Sequence, residues 1–292
     1  MEELGVVRAI SRIEDADGLD PVIDRIGGVV EKVLPRGAVR DLLHGVPFGH
    51  PVHPIEVQIP IGTWTSAAVL DVFPGKSAAA NVLIGVGVAA ALPAAVSGLA
   101  DWSQLHEQQK RVGLVHAAAN VVAVGLYSAS LFQRARGKTM SGKMLGYLGL
   151  AVVSGAGFLG GHLAYRQAAG ANHVEDVPHI FPPGWQVVAP LSEFANGQLE
   201  TRTVAGVPLL FLRRGSTVNV IADTCSHLSG PLHEGQLTDA SGADPCVTCP
   251  WHGSVFSLTT GDVVHGPATA PQPRFETLIR NDMVEVLLVG AG

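Results

Sequence analysis

Charged residues are scarce in this sequence. Only 15% of its 292 residues are Asp, Glu, Lys or Arg, against about 25% in ordinary soluble proteins. The deficit is concentrated in residues 77–100, 112–133 and 144–165, which contain none of these four residue types. Because about 20 apolar residues are enough to cross a bilayer core, the sequence predicts at least three membrane-spanning helices.

Other absences exclude whole classes of protein. Three cysteines are too few for a disulfide scaffold. A net charge of −6 gives no reason to expect nucleic-acid binding. The chain does not begin with a hydrophobic run, so we expect no cleavable signal peptide. The spacing Gly-x-Gly-x-x-Gly occurs at Gly155–Gly160, but it lies inside a charge-free apolar segment and not after a strand, so it indicates no nicotinamide or flavin domain and any reductase is expected to be a separate protein.

A fourth apolar segment, Ile55–Phe73, is the weakest candidate span. Glu56 and Asp71 leave only 14 uncharged residues between them. A tilted or irregular span buried by its neighbours would tolerate these polar groups, and a re-entrant segment is the alternative. We expect four spans in total.

Two cysteine–histidine pairs lie in the last third of the chain. Cys225-x-His227 and Cys249-x-x-His252 each lie in a stretch rich in Gly, Pro or Ser. Two thiolates and two imidazoles are the ligand set of a Rieske [2Fe–2S] centre. A structural zinc site also takes Cys2His2, but zinc fingers pair Cys with Cys and His with His on a helix. The pattern therefore favours the iron–sulfur cluster.

On these residues, and on the following Val255–Asp262, the chain resembles the Rieske ferredoxins and the Rieske domains of aromatic-ring dioxygenases over about residues 185–289. The resemblance implies that Cys225 and Cys249 ligate one iron and that His227 and His252 ligate the other. In the respiratory members two further cysteines form a disulfide between the loops. Gly230 and Trp251 occupy those positions here, and Cys246 has no partner left, so we expect no such bridge.

The neighbours of the ligands bear on the reduction potential. Ser254 matches a serine that donates to a bridging sulfide in high-potential members, whereas Phe256 replaces a tyrosine donor. Ser254 and Trp251 are expected to lie beside the cluster. Hydrogen bonds to the sulfurs tune such clusters, so an intermediate to low potential is predicted.

A second resemblance covers about residues 45–168. The His-Pro-x-His-Pro sequence at 50–54, the stretch Gly98–Trp102 and the four apolar segments resemble a bacterial four-helix membrane domain family of unknown function. The predicted fold is thus multidomain, an all-α four-helix transmembrane bundle followed by an all-β Rieske-type domain. The predicted boundaries are 1–48 for an N-terminal polar or amphipathic region, 49–167 for the membrane domain, 168–184 for a linker and 185–292 for the Rieske domain.

Local patterns fill in this outline. Residues 1–19 show no clear periodicity, Asp20-Pro21 begins a predicted helix to Val33, and Ala38–His44 is a second short helix. Prolines and glycines in 168–184 indicate an extended linker. Short strands are predicted at Trp185–Val188, Thr201–Val204, Val207–Leu212, Thr217–Ala222, Pro245–Thr248, Ser254–Ser257 and Val284–Val289, as in a small sandwich or barrel.

Histidines are a further candidate site. If four spans alternate in direction, His53, His116 and His162 fall in one leaflet, with His50 in reserve. Ionisable residues inside a membrane suggest function, here a haem, a metal or a quinone pocket. The alternative is interfacial histidines bonded to carbonyls or headgroups. His233 and His265 lie outside the motifs and are expected to be surface or loop histidines.

The predicted function is a membrane-anchored one-electron carrier rather than a stand-alone enzyme. It would pass electrons between a separate reductase or membrane donor and a partner oxidoreductase, neither of which the sequence names. The alternatives are a redox sensor, or a ferredoxin tethered by an inert anchor. An even number of spans puts both termini on one side of the cell membrane, and the cytoplasmic side is favoured. The composition is equally compatible with a monomer and a homo-oligomer.

Overall fold

A computed structural model describes residues 5–289. The chain forms two compact units, each described separately below. The first contains the residues up to 36 together with 51–169. The second contains residues 37–50 together with those from 170 onward. The α-helices of the two units together, in chain order, are α1 (Gly5–Glu14), α2 (Asp20–Val33), α3 (Ala38–His44), α4 (His53–Glu56), α5 (Gln58–Val72), α6 (Ser77–Trp102), α7 (Glu107–Ala135), α8 (Thr139–Gly161) and α9 (Val177–Ile180).

Three helices of the first unit are long and apolar enough to cross a membrane: Ser77–Trp102, Glu107–Ala135 and Thr139–Arg166, the last including the π-helical turn after α8. They confirm three of the four predicted spans. The fourth segment forms α4 and α5 in succession, and neither helix alone reaches that length. Its two acidic residues are both engaged, since Ser97 Oγ donates to Glu56 and Arg134 pairs with Asp71.

The N-terminal helices belong to the membrane unit. Asp20-Pro21 starts α2 as predicted, and Ile23 and Val30 are buried. Arg111 of α7 donates to both carboxylate oxygens of Asp20, at 2.8 and 2.6 Å. Because Arg111 donates to it, the pKa of Asp20 lies below its usual value. The residues left unassigned by the sequence pattern form α1 from Gly5 onward, while residues 1–4 lie outside the described part.

The second unit is a β-sandwich of two antiparallel sheets. The strands are β1 (Gln186–Pro190), β2 (Leu199–Val204), β3 (Val207–Arg214), β4 (Thr217–Ala222), β5 (Gln236–Thr238), β6 (Cys246–Thr248), β7 (Val255–Ser257), β8 (Val263–His265), β9 (Arg274–Arg280) and β10 (Met283–Leu288). One sheet has the order β1-β10-β9-β4-β3-β2 and the other β5-β6-β7-β8. Leu210 and Ile221 of the larger sheet pack with Val247 and Phe256 of the smaller one.

The segment 168–184 is packed rather than extended, which corrects its prediction as a free linker. Val174, Val177 and Phe181 are buried with Val220 and Phe275 of the larger sheet. The segment packs in spite of its prolines because its three apolar side chains lie in or beside one helical turn, α9, which covers that sheet. The seven predicted strands are confirmed within a few residues, whereas β5, β8 and β9 were not predicted.

Candidate metal centre

Two loops with the same hydrogen-bond pattern carry the four predicted ligands. The first follows β4 and the second follows β6. Each cysteine amide donates to the carbonyl five residues ahead, Cys225 to Gly230 and Cys249 to Ser254, both at 2.8 Å. Each cysteine carbonyl accepts from the amide four residues ahead, at 2.9 and 3.1 Å. Ser229 and Gly253, the donors of these last bonds, both have positive φ, so the two loops are folded alike.

The two sulfurs lie together in the interior. Cys225 is 1% exposed and Cys249 3%. The Cys225 thiol donates a hydrogen bond to Cys249, which lowers the pKa of Cys249 to about 6 and raises that of Cys225. Thiolate is the form that binds metal, and the lowered pKa of Cys249 favours that form.

The two imidazoles form the other half of the site. The rings of His227 and His252 are 5.0 Å apart between centroids and almost perpendicular. His227 is buried, whereas His252 is partly exposed. Within residues 5–289, no group of three or more His, Cys, Asp or Glu side chains is arranged around a single metal ion.

The surroundings fit a compact inorganic group. A Cβ added to Gly230 would lie 2.9 Å from the sulfur of Cys249 and 3.2 Å from the Trp251 ring, so the disulfide cysteine of the respiratory members would crowd this loop. The donor set of two thiols and two imidazoles suits a Rieske-type cluster. In the described part of the chain all three cysteines are free thiols, and Cys246 lies in β6.

Ser254 links the second ligand loop to a third loop, residues 266–273 between β8 and β9. It is fully buried, and its hydroxyl accepts a hydrogen bond from the amide of Ala268 at 3.0 Å. The hydroxyl proton then remains available to a neighbouring acceptor. Phe256 is buried in the core between the sheets and supplies no donor, as the sequence predicts.

The third loop is held by a residue far away in sequence. The Asp41 carboxylate accepts hydrogen bonds from His265 Nδ1 and from the amide of Gly266, both at 2.9 Å. Val46 and the buried His44 lie against Gly266. Residues 37–50 are therefore a part of the β unit, although about 120 residues of membrane unit separate them from it.

The first ligand loop is held by the packed segment before β1. The amide of His173 donates to the carbonyl of Ser226 at 3.0 Å, and its ring nitrogen Nδ1 lies 3.1 Å from Ser229 Oγ. His265 is exposed, as predicted. His233 has a defined partner in the protein, since its Nδ1 lies 2.6 Å from the buried Asp223 carboxylate.

The four predicted membrane histidines lie in three different places. The rings of His53 and His116 lie 6.4 Å apart between centroids. His162 contacts an acid instead, with its Nε2 2.7 Å from Glu14 Oε1. His50 belongs to the β unit. The structure thus brings together one pair of the four predicted residues.

Comparison with known families gives two matches. Residues 184–276 match the family described as the Rieske [2Fe-2S] domain, and residues 49–173 match a family described as predicted membrane protein (DUF2231). These ranges confirm both resemblances and the order of the two folds. The DUF2231 match and the three apolar helices support a location in the membrane.

Individual relatives match about a third of this chain. Ferredoxin CarAc of Metapseudomonas resinovorans is 30% identical over 35% of this chain and 92% of its own length. Cholesterol 7-desaturase of Caenorhabditis elegans is 36% identical over 32% of this chain. The chain spans only 22% of that protein, and 19% of human apoptosis-inducing factor 3. A solved ferredoxin of carbazole 1,9a-dioxygenase from Nocardioides aromaticivorans is 25% identical, with a TM-score of 0.32 over 35% of this chain and 94% of its own.

Proposed function

Because this chain belongs to the Rieske [2Fe-2S] family through residues 184–276, we propose that it is a membrane-anchored one-electron carrier. The observation that carries the proposal is the pair of matching loops that bring Cys225 and Cys249 together and place His227 beside His252. When bound, a [2Fe–2S] cluster supplies a one-electron couple. The thiolates would hold one iron and the imidazoles the other.

The exposure of the ligands suggests where electrons enter and leave. Both cysteines and His227 are buried, whereas His252 is partly exposed and the Trp251 side chain beside it is half-exposed. Partner proteins would therefore dock around Trp251 and His252. Two of the relatives named above are ferredoxins, and by analogy a separate reductase and a partner oxidoreductase would complete the system.

A redox titration tests this function. Full-length protein in detergent is expected to take up one electron per chain, to show a Rieske-type paramagnetic signal when reduced, and to return to the oxidised spectrum on reoxidation with its iron still bound. Loss of iron after one cycle, or a change of conformation with no transfer to an added one-electron acceptor, would favour the redox sensor instead.

The β unit is built from two separate stretches of the chain, and this bears on the side of the membrane on which it lies. Residues 37–50 and 170–289 fold together through Asp41 and Gly266, so both lie on one side and the intervening chain crosses the membrane an even number of times. The 20 residues His53–Val72 rise about 30 Å at 1.5 Å each, the thickness of a bilayer core. This supports a fourth span over α4 and α5.

The cytoplasm is the proposed side. The basic turn after α7 would favour the opposite assignment, but Arg134 is buried against Asp71 and Lys143 Nζ donates to the Asp71 carbonyl at 2.5 Å. Two of its basic groups are thus used within the protein. A tag appended to the C-terminus should stay unlabelled by a membrane-impermeant reagent in intact cells and become labelled after lysis. Labelling before lysis would reverse the assignment.

A second candidate function gives the membrane unit a cofactor of its own, a haem or a quinone, rather than the role of an inert anchor. The proximity of His53 and His116 within the unit favours it. The two candidates differ in the optical spectrum, because haem bands would appear beside the cluster absorption.

A further inference from the structure

The membrane unit contains two copies of one helical hairpin. The first is α4, α5 and α6, and the second is α7 and α8. Helix α5 ends at Val72 and α7 at Ala135, 63 residues later, while α6 begins at Ser77 and α8 at Thr139, 62 residues later. The turn between the helices is one residue shorter in the second copy, which accounts for the difference.

Burial follows the same spacing. The buried residues of α5 recur 63 positions later among those of α7, and four of the five in α8 recur 62 positions earlier in α6. The pairs are Pro60 and Ala123, Trp64 and Tyr127, Ala67 and Ser130, Asp71 and Arg134, then Ala80 and Gly142, Ile84 and Gly146, Gly87 and Gly149, Ala94 and Ala156. A coincidence of this extent indicates a duplication.

Equivalent residues of the two copies touch one another. The Trp64 and Tyr127 rings stack at 4.2 Å, Asp71 pairs with Arg134, and His53 lies 6.4 Å from His116, again 63 positions apart. Contacts between equivalent positions mark a two-fold axis, as at the interface of a symmetric dimer. A pseudo-two-fold axis therefore passes between the first helices of the two hairpins.

The two histidines on this axis are held in the same way. His53 Nδ1 lies 2.7 Å from the carbonyl of Ala94, and His116 Nδ1 lies 2.8 Å from the carbonyl of Ala156. Four residues further along each of these helices is a glycine, Gly98 or Gly160, whose added Cβ would lie 2.7 or 3.2 Å from the imidazole. Each copy thus holds one imidazole ring between a backbone carbonyl and a glycine.

The hydrogen bonds define which nitrogen donates in both rings. A carbonyl only accepts, so Nδ1 is the donor in His53 and His116, and Nε2 of the neutral ring carries the lone pair. The Asn120 amide 3.1 Å from His116 Nε2 is consistent with this, because it donates. A histidine that ligates metal through one nitrogen commonly donates from the other to a carbonyl.

We infer that His53 and His116 form a metal site on the pseudo-two-fold axis of the membrane unit, occupied by haem iron or by another ion that prefers imidazole. This deepens the second candidate function above. An imidazole nitrogen binds such an ion at about 2.0–2.1 Å, and the nearly perpendicular His53 and His116 rings, 6.4 Å apart between centroids, are close enough to share one ion. Binding at His116 would displace the Asn120 amide, which also donates to the His116 carbonyl at 2.9 Å.

The test measures metal in full-length protein. Wild type, as purified or after addition of haemin, Cu²⁺ or Zn²⁺, is expected to hold metal beyond the two cluster irons. A haemochrome spectrum distinguishes haem from a free ion. His53→Ala and His116→Ala should each lower this additional metal at least tenfold, while the paramagnetic signal of the cluster is unchanged in the same samples.

Two further variants sharpen the result. His162→Ala is the matched control, since His162 is also largely buried in this unit but pairs with Glu14, and it should keep the metal. Asn120→Leu removes the competing donor and should bind at least as tightly as wild type, which separates ligation from folding. A wild type that holds and takes up no additional metal would overturn the inference, whereas loss of the cluster alone would count against the electron-carrier proposal.

Discussion

Replacing Cys249 by serine is expected to leave the purified chain without its cluster. Iron should fall from about two atoms per chain to background, and the Rieske-type signal of the reduced protein should disappear. Cys249 is 3% exposed and lies in hydrogen-bond contact with Cys225. Serine would put a protonated hydroxyl where the cluster needs a thiolate. Iron analysis and low-temperature paramagnetic resonance measure the outcome.

Cys246→Ser is the matched control for this experiment. Cys246 belongs to the same small sheet but lies at the start of β6, outside the two loops. Its replacement should keep both the iron and the signal. If Cys249→Ser retained two irons, or if the wild type held stoichiometric zinc and no iron after anaerobic purification, the ligand assignment would be wrong.

The largest effect on stability is expected at the Asp71–Arg134 ion pair. Both side chains are nearly inaccessible, with exposed fractions of 3% and 2%. Removing one partner leaves an uncompensated buried charge, which costs about 3–5 kcal/mol. Asp71→Ala and Arg134→Ala should each lower the melting temperature in detergent by roughly 6–20 °C, since 1 kcal/mol shifts a domain of this size by about 2–4 °C.

The duplicated hairpins make a sharper version of this prediction. Asp71 and Arg134 occupy equivalent positions on the two sides of the pseudo-two-fold axis, so the exchange Asp71→Arg with Arg134→Asp should recover most of the stability lost in either single exchange. Melting curves of the two single variants and the double variant form a cycle that isolates the pair. Glu107→Ala, an exposed change at the start of α7, is the control and should change little. A double variant as unstable as the worse single variant would argue against equivalence.

Local sequence predicted the features that depend on short spacing. The four candidate ligands, the three long apolar helices and the start of α2 at Asp20-Pro21 all lie within continuous motifs. Strand β9 was missed because Arg274, Glu276 and Arg280 interrupt its apolar pattern. Strands β5 and β8 have three residues each and lie outside the cysteine–histidine motifs, whereas the equally short β6 and β7 adjoin the second motif and were predicted.

Features that depend on distant partners could not be predicted. Asp71 made the segment Ile55–Phe73 look like a weak candidate span, because its partner Arg134 was assigned to a basic turn. The contact of Asp41 with His265 spans 224 positions, and nothing in either neighbourhood indicates it. The duplication was hidden because many equivalent residues differ in type, as in Trp64 with Tyr127 and Asp71 with Arg134.

The discontinuity of the β unit has a consequence for biosynthesis. Residues 37–50 leave the ribosome before the hairpins do, whereas their partner Gly266 is made more than 200 residues later. At about 5–20 residues per second, this delay is on the order of 10–45 s. During it, α3 is without its sheet while the hairpins insert nearby. The β unit cannot complete its fold until insertion has ended, so cluster loading would follow membrane insertion in time.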